Sequence, residues 1–308
     1  MTKRKSKPIY VEIGMASDMD TLWSHTQNPD LHVQWDLRFT DILYLPRRAS
    51  EPVQRFLYRT RIGFGLAIAG TGETKAHQQL DEHTRLSTLK FGSEQRLSLI
   101  REGGGYWRYE AAEGGELTFS TQYDYETRFG ALGTSFDRLI FRPLFGWATA
   151  WSFDLLRIWL EDHLPPKVTI RLALVHYIAV LVLASLWLYE GLVPKMIWPE
   201  GGELAMLQGV WPGAGKWVLS CIGAGEMLVG AAALVWHRKA WVYGGQLVLL
   251  LLLTLSSAPR IEEWIGAPFN PLTLCLPMLG LCLIAKLTME RLPDARRCRR
   301  AAPKKGRD

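Results

Sequence analysis

Through the first 127 residues apolar and polar positions tend to alternate, and beyond residue 170 they give way to long, nearly unbroken apolar runs. Alternation is the period of a half-buried strand, and about 20 apolar residues in a row is the length of a helix that spans a bilayer. Ile9, Val11 and Ile13 open the chain as a strand. A helix is expected next, with Ser17 as its cap and Asp20 three residues on, ended by Asn28-Pro29; a short helical turn carrying Trp35 follows. Six strand segments come after it: FTDILYL, VQRFLYRTRI, TRLSTLKF, QRLSLI, GYWRYEA and ELTFSTQYDYET. With Gly103 to Gly105 and Gly114-Gly115 read as turns, they form an antiparallel meander. The region closes on a long, partly apolar helical segment over residues 131–163, whose second part Pro143 starts or kinks.

The second half divides into four apolar runs, at about residues 171–193, 216–236, 241–258 and 268–289, the third close to the short limit for a span. This sets three regions: 1–163, a membrane region over 168–290, and a basic tail over 291–308. Positive charge gathers in the first region, at His237-Arg238-Lys239 and in the tail, which places both termini in the cytoplasm of a multi-pass cell-membrane protein. Trp198, Trp211, Trp217 and Trp264 then form the opposite aromatic belt. Trp147, Trp151 and Trp159 are candidate interfacial anchors for the closing helix of the first region.

Composition sharpens this only at the margins. The net charge of +6 is concentrated at the two ends, which suits an anionic lipid bilayer; no nucleic-acid module accompanies it, so nucleic acid is not an expected partner. Three of the four cysteines, 221, 275 and 282, lie in apolar runs and read as packing residues, with Cys275 and Cys282 too far apart on one helix for a disulfide. The alternating stretch at residues 8–13 is not a signal core, so no cleaved signal is expected. A metal cluster, a nucleophile elbow and a phosphate loop are not apparent, and no catalytic residue is assigned.

The element order of the first region, strand, two small helices, antiparallel strands and a long closing helix, is that of the α+β helix-grip fold. The stretch IYVEIGMASDMDTLWSHTQNPDLHVQWDLRFTDILYL resembles the opening of the START-like superfamily of polyketide cyclases and coenzyme-Q-binding proteins, through Trp23, Trp35 and the Asn28-Pro29-Asp30 turn. The resemblance implies a cavity between sheet and helix that takes a hydrophobic small molecule or lipid. By strand parity Tyr58, Trp107, Tyr109, Tyr123 and Tyr125 are candidates to line it, with Arg61, Arg128, Arg138 or Arg142 as anchors for a polar group. The bland alternative for each aromatic is core packing, and for each arginine a solvated surface.

The second half, RLALVHYIAVLVLASLWLYEGLVPKMIWPEGGELAML followed by GAGEMLVGAAAL, resembles the DoxX-like family of four-helix membrane proteins. Its ionisable and amide residues are His176, Glu190, Lys195, Glu226 and Gln246. A carboxylate in mid-membrane is costly unless paired, so Glu226 is expected to be protonated or to face His176, Glu190, Gln246 or Lys195. Two functions stay open. The first is a membrane protein whose START-like region binds a hydrophobic molecule and presents it to the bundle, without catalysis. The second is a subunit that supports quinone-linked oxidoreductase chemistry with a membrane redox partner; no cofactor is established by the sequence, and a quinone is the one this reading admits.

Overall fold

A computed structural model describes residues 7–48, 51–63, 65–81, 83–111, 115–200, 202–257, 262, 265–266 and 270–303. The chain forms two compact units: residues up to Thr169 together with the segment from Pro293 onward, and Ile170–Leu292. The basic residues before position 7 and after 303, Gly114 and Trp264 lie outside the described residues.

The first unit is a helix-grip fold. Its elements are β1 (Ile9–Ala16), α1 (Met19–Gln27), α2 (Pro29–Trp35), β2 (Asp41–Tyr44), β3 (Gln54–Gly63), β4 (Leu66–Asp81), β5 (Thr84–Gly92), β6 (Ile100–Ala111), β7 (Glu116–Thr127), α3 (Gly130–Phe136) and α4 (Arg142–Asp162). The seven strands run in the order β1-β7-β6-β5-β4-β3-β2, and every neighbour is antiparallel. One face closes on α4. Phe119 of β7 stacks on Phe153 of α4 with ring centroids 4.4 Å apart, and Trp35 of α2 meets Phe153 at 6.1 Å. Val11, Ile13 and Met15 from β1 are buried beside them, so alternate positions of the edge strand meet the inner face of the helix.

Several local expectations are corrected. Asp18, not Ser17, caps α1, accepting from Thr21 N at 2.8 Å; a carboxylate at a helix N-terminus gains from the macrodipole as a hydroxyl does not. The segment QRLSLI is a loop up to Leu99 rather than a strand, and β4 fills a stretch where no strand is expected from the pattern. Gly103 to Gly105 are not a turn; they lie inside β6, opposite Tyr125, Asp124 and Tyr123 of β7. A Cβ on Gly105 would stand 2.3 Å from the Gln122 carbonyl oxygen and 2.5 Å from Tyr123 Cβ, so close approach of β7 requires glycine there. Trp151 is buried in the core and Trp159 is half-buried against His25, so of the three proposed interfacial anchors only Trp147 is exposed.

Between α3 and α4 the chain makes a π-turn, Asp137–Phe141, pinned by a buried carboxylate. Asp137 accepts from the Tyr125 hydroxyl at 2.6 Å and from Arg142 Nε at 2.9 Å. Pro143 stands in the first turn of α4, directly after the π-turn, where its missing N–H falls at the break in the regular helical bonding.

The segment after Leu292 is not a separate tail. A 3-10 turn, Ala295–Arg297, leads to Arg299, which exchanges two backbone hydrogen bonds with Glu12, Glu12 N to Arg299 O at 2.9 Å and Arg299 N to Glu12 O at 2.8 Å. The open edge of β1 is thereby covered. Cys298 is buried and donates to the Ala150 carbonyl at 3.2 Å; burial pushes its thiol up to about 12. The fully buried Asp154 of α4 binds Arg157 Nε and the backbone N of Asp294, both at 2.7 Å.

The second unit is helical: α5 (Pro166–Leu192, whose first turn belongs with the first unit), a π-turn (Val193–Ile197), α6 (Glu203–Val210), α7 (Lys216–Val235), α8 (Ala240–Ser257) and α9 (Pro271–Thr288). Pro166–Ile197 and Lys216–Val235 are long and apolar enough to cross a membrane; α8 and α9 are shorter apolar helices. The short helix α6 falls where only a loop is expected. A core of Leu183, Trp187, Tyr243, Leu250, Met278 and Cys282 joins α5, α8 and α9.

Asp154→Asn removes the charge from a fully buried carboxylate that accepts from two half-buried donors. It is expected to destabilise the first unit by about 2–4 kcal/mol. Limited proteolysis of the purified full chain checks this: cleavage in residues 293–303 should become severalfold faster, with α5 to α9 still intact.

Candidate functional site

The first unit holds a cavity of about 30 Å³ between α1, α2 and the sheet. Phe39, Ile42, Phe56, Leu89 and Trp107 supply its apolar wall, and Thr26, Gln27, His32, Tyr44, Thr74 and Ser87 its polar one. As it stands the space suits a water-sized guest. Its polar wall is a connected chain. Gln27 Nε2 donates to the Tyr109 hydroxyl at 2.9 Å, Ser87 Oγ donates to Gln27 Oε1 at 3.4 Å, and the Thr74 and Ser87 hydroxyls are 3.2 Å apart.

His32 is held from behind. Its Nε2 lies 2.9 Å from Asp36 Oδ2, and Arg38 grips the same carboxylate through Nε and Nη2 at 2.8 and 2.7 Å. Asp36 is fully buried. Burial works against its charge, but Arg38 and then His32 outweigh it and hold the carboxyl well below the usual range. Burial likewise opposes the Arg38 charge, and Asp36 overrides it, so the guanidinium stays protonated. An ionised carboxylate only accepts, so His32 Nε2 carries the hydrogen. In neutral His32 the other ring nitrogen is then an acceptor. The Arg38 guanidinium also lies 5.5 Å from the Tyr123 ring centroid, a cation–π contact that helps keep it in place.

Of the sequence candidates, Trp107 lines the cavity and Tyr109 stands behind its polar wall with the hydroxyl bonded to Thr26 and Gln27. Tyr58 lies on the same sheet face, packed against Phe39 and Phe56; its hydroxyl donates to the Gly92 carbonyl at 3.2 Å, and burial pushes it up to about 12. Tyr123 and Tyr125 bond Thr149 and Asp137 on the closing helical segment. Arg61 is exposed at the end of β3, and Arg128 donates to the carbonyls of Ser93 and Gln95, fastening the loop before β6. Arg138 is exposed, while Arg142 pairs with Asp137 and Asp124. The His32, Asp36 and Arg38 cluster is missed by sequence reasoning. Its one signal is an acid and a base two apart, set among Trp35, Leu37 and Phe39.

In the second unit, Lys195 on the π-turn is buried and reaches Glu226 Oε2 of α7 at 3.0 Å, Glu203 Oε2 of α6 at 3.7 Å and the Glu190 carbonyl at 3.2 Å. The Lys195–Glu226 approach is a contact between charges rather than an aligned hydrogen bond. Helices α5 and α7 touch beside it. A Cβ on Gly191 would lie 2.4 Å from the Gly223 carbonyl oxygen, and one on Gly223 2.4 Å from that of Gly191, so both positions need glycine for this approach. Of the partners expected for Glu226, Lys195 is the one brought to it. Gln246 instead accepts from Trp187 Nε1 at 2.8 Å, with its own Nε2 unpartnered among the described residues. His176 lies 3.0 Å from the Ala285 carbonyl through Nδ1 and 3.1 Å from His237 Nδ1 through Nε2. A carbonyl only accepts, so neutral His176 takes a hydrogen bond from His237.

A profile of the DoxX-like family matches residues 184–283, the stretch that carries Glu190, Lys195, Glu226 and Gln246. The uncharacterised membrane protein YndG of Bacillus subtilis (strain 168) is 47% identical over 239 residues, 75% of this chain and 89% of that one. The chain belongs to the DoxX-like family. It is a DoxX-like membrane protein with a helix-grip unit at its N-terminus. Solved structures similar to that unit include Zhui aromatase/cyclase from Streptomyces sp. R1128, 11% identical with a TM-score of 0.35 over 49% of this chain and 96% of that one. Another is a hypothetical protein of Helicobacter pylori, 13% identical with a TM-score of 0.36 over 49% and 91%. At that level they say nothing of a ligand; the strand order and the closing helix carry the fold assignment.

Removing Glu226 alone leaves a buried ammonium short of its nearest partner. Glu226→Leu in the DoxX-like unit is expected to cost about 3–5 kcal/mol, and Lys195→Met with Glu226→Leu to recover most of it. Thermal unfolding of the full chain in detergent, as a double-mutant cycle, measures the difference.

Proposed function

We propose that the helix-grip unit of this membrane protein is a binding module for a small hydrophobic molecule with one polar end, which it presents to the DoxX-like helices. The observation that carries the reading is the mixed wall of the cavity, where Trp107, Phe39 and Phe56 face a His32 held by Asp36 and Arg38. An apolar body gains by leaving water against the aromatic side. A hydroxyl on it donates to the acceptor nitrogen of His32. A guest larger than water requires side chains of the wall to move apart.

The same reading places both termini in the cytoplasm and counts four crossings, α5, α7, α8 and α9. It is supported by the charge bias of the loops and by the membership of both Thr169 and Pro293 in the first unit. A quinone-linked redox role is the second reading, favoured by the buried Lys195–Glu226 pair inside the family-matched stretch. Copurification of a reducible quinone with the full chain separates it from the first.

Binding of 1-naphthol and of naphthalene to the full chain in detergent, followed by calorimetry, tests the module. Wild type is expected to prefer 1-naphthol, and His32→Leu to weaken 1-naphthol about tenfold while leaving naphthalene within about threefold. Absence of binding by either compound, or no change on His32→Leu, would exclude this site.

A further inference from the structure

The helix-grip unit carries an apolar face that its own core does not use. Phe129, Leu132, Phe136, Leu139, Leu144 and Trp147 recur every three to five residues through α3, the π-turn and the first turns of α4, and all are exposed. Leu132 is 83% exposed and Leu139 75%, values that place both side chains almost wholly outside the fold. The row spans 18 residue steps of helix, about 27 Å. Its polar members are few: between Phe129 and Trp147 the exposed ones are Thr134, Ser135 and Arg138, and the one acid, Asp137, is buried against Tyr125 and Arg142.

We propose that this ridge is a bilayer-seating surface, lying in the headgroup and upper acyl layer with Trp147 and Arg138 at the polar boundary. Three properties on one face select a lipid surface as occupant. A row of large aliphatic and aromatic side chains, a lone arginine and no exposed acid is the composition of a helix lying in a membrane interface. The unit is also joined to a membrane-crossing helix by only three residues, 163–165, between α4 and α5, a reach of about 10 Å. That tether keeps the ridge near a bilayer at high effective concentration, so a modest intrinsic affinity suffices. The π-turn contributes by geometry. It widens one turn of helix at Asp137–Phe141, and the Asp137 bonds fix the turn with Leu139 and Ile140 outward.

The full chain, reconstituted into phosphatidylcholine and phosphatidylglycerol vesicles that contain a phosphatidylcholine with a diazirine in its acyl chain, provides the test. After illumination and digestion, lipid adducts are expected on peptides within residues 129–147 as well as on α5 and α7. Leu132→Glu with Leu139→Glu, both at exposed positions, should lower the yield on 129–147 at least fivefold and leave α5 and α7 unchanged. Wild-type labelling confined to the crossing helices would overturn the proposal. So would cross-links between copies formed by photo-leucine placed at Leu132 of the full chain, with lipid adducts absent from 129–147, since they would make a second copy the occupant.

Discussion

The buried carboxylate of Asp154 ties the last part of the chain to the first. It stands fully buried on the closing helix of the grip, and it accepts from Arg157 on that helix and from the backbone of Asp294, 140 residues later. A buried carboxylate is tolerable only when its lone pairs are met, so the helix needs the returning segment as much as the segment needs the helix. Once Asp294 is seated, Cys298 packs under Ala150 and Arg299 pairs with Glu12 along the open edge of β1. One compact unit therefore contains both flanks of the helical region, which supports the proposal that the chain between Thr169 and Pro293 crosses a bilayer an even number of times.

The two units use charge for opposite reasons. In the grip, Asp36 and Arg38 are buried together so that a third group, His32, is fixed in one tautomer on a cavity wall. In the helical unit, Lys195 is folded back by the π-turn at the end of α5 and meets Glu226 where Gly191 and Gly223 let two helices touch. Removing either cation alone would leave a buried carboxylate uncompensated, so each pair stands or falls together.

How much of this is readable in advance depends on whether the signal is local. The long apolar helices α5 and α7 are legible because length and apolarity suffice, and the strands β3, β5 and β7 because alternation is strong. Strand β4, LAIAGTGETKAHQQLD, is hidden because its glycines lie beneath aromatic rings of β3: a Cβ on Gly72 would stand 2.2 Å from the Phe56 ring. Only the paired strand shows why those positions are glycine. The pairing of Glu226 with Lys195 is among the partners expected from sequence, whereas Asp36, Arg38 and His32 draw no notice because their meaning comes from burial. The returning segment reads as a solvated basic tail, although Ala295 and Cys298, spaced by three among the arginines, are its buried side.

The even count of crossings is the claim on which the placement of every other element depends. A membrane-impermeant thiol reagent applied to intact and to permeabilised cells measures it directly, using Glu51→Cys in the grip and Ala302→Cys in the returning segment, both exposed positions, with exposed Cys221 replaced by serine. Both sites should be protected in intact cells and label together after permeabilisation. Labelling of one site and not the other in intact cells would contradict the account.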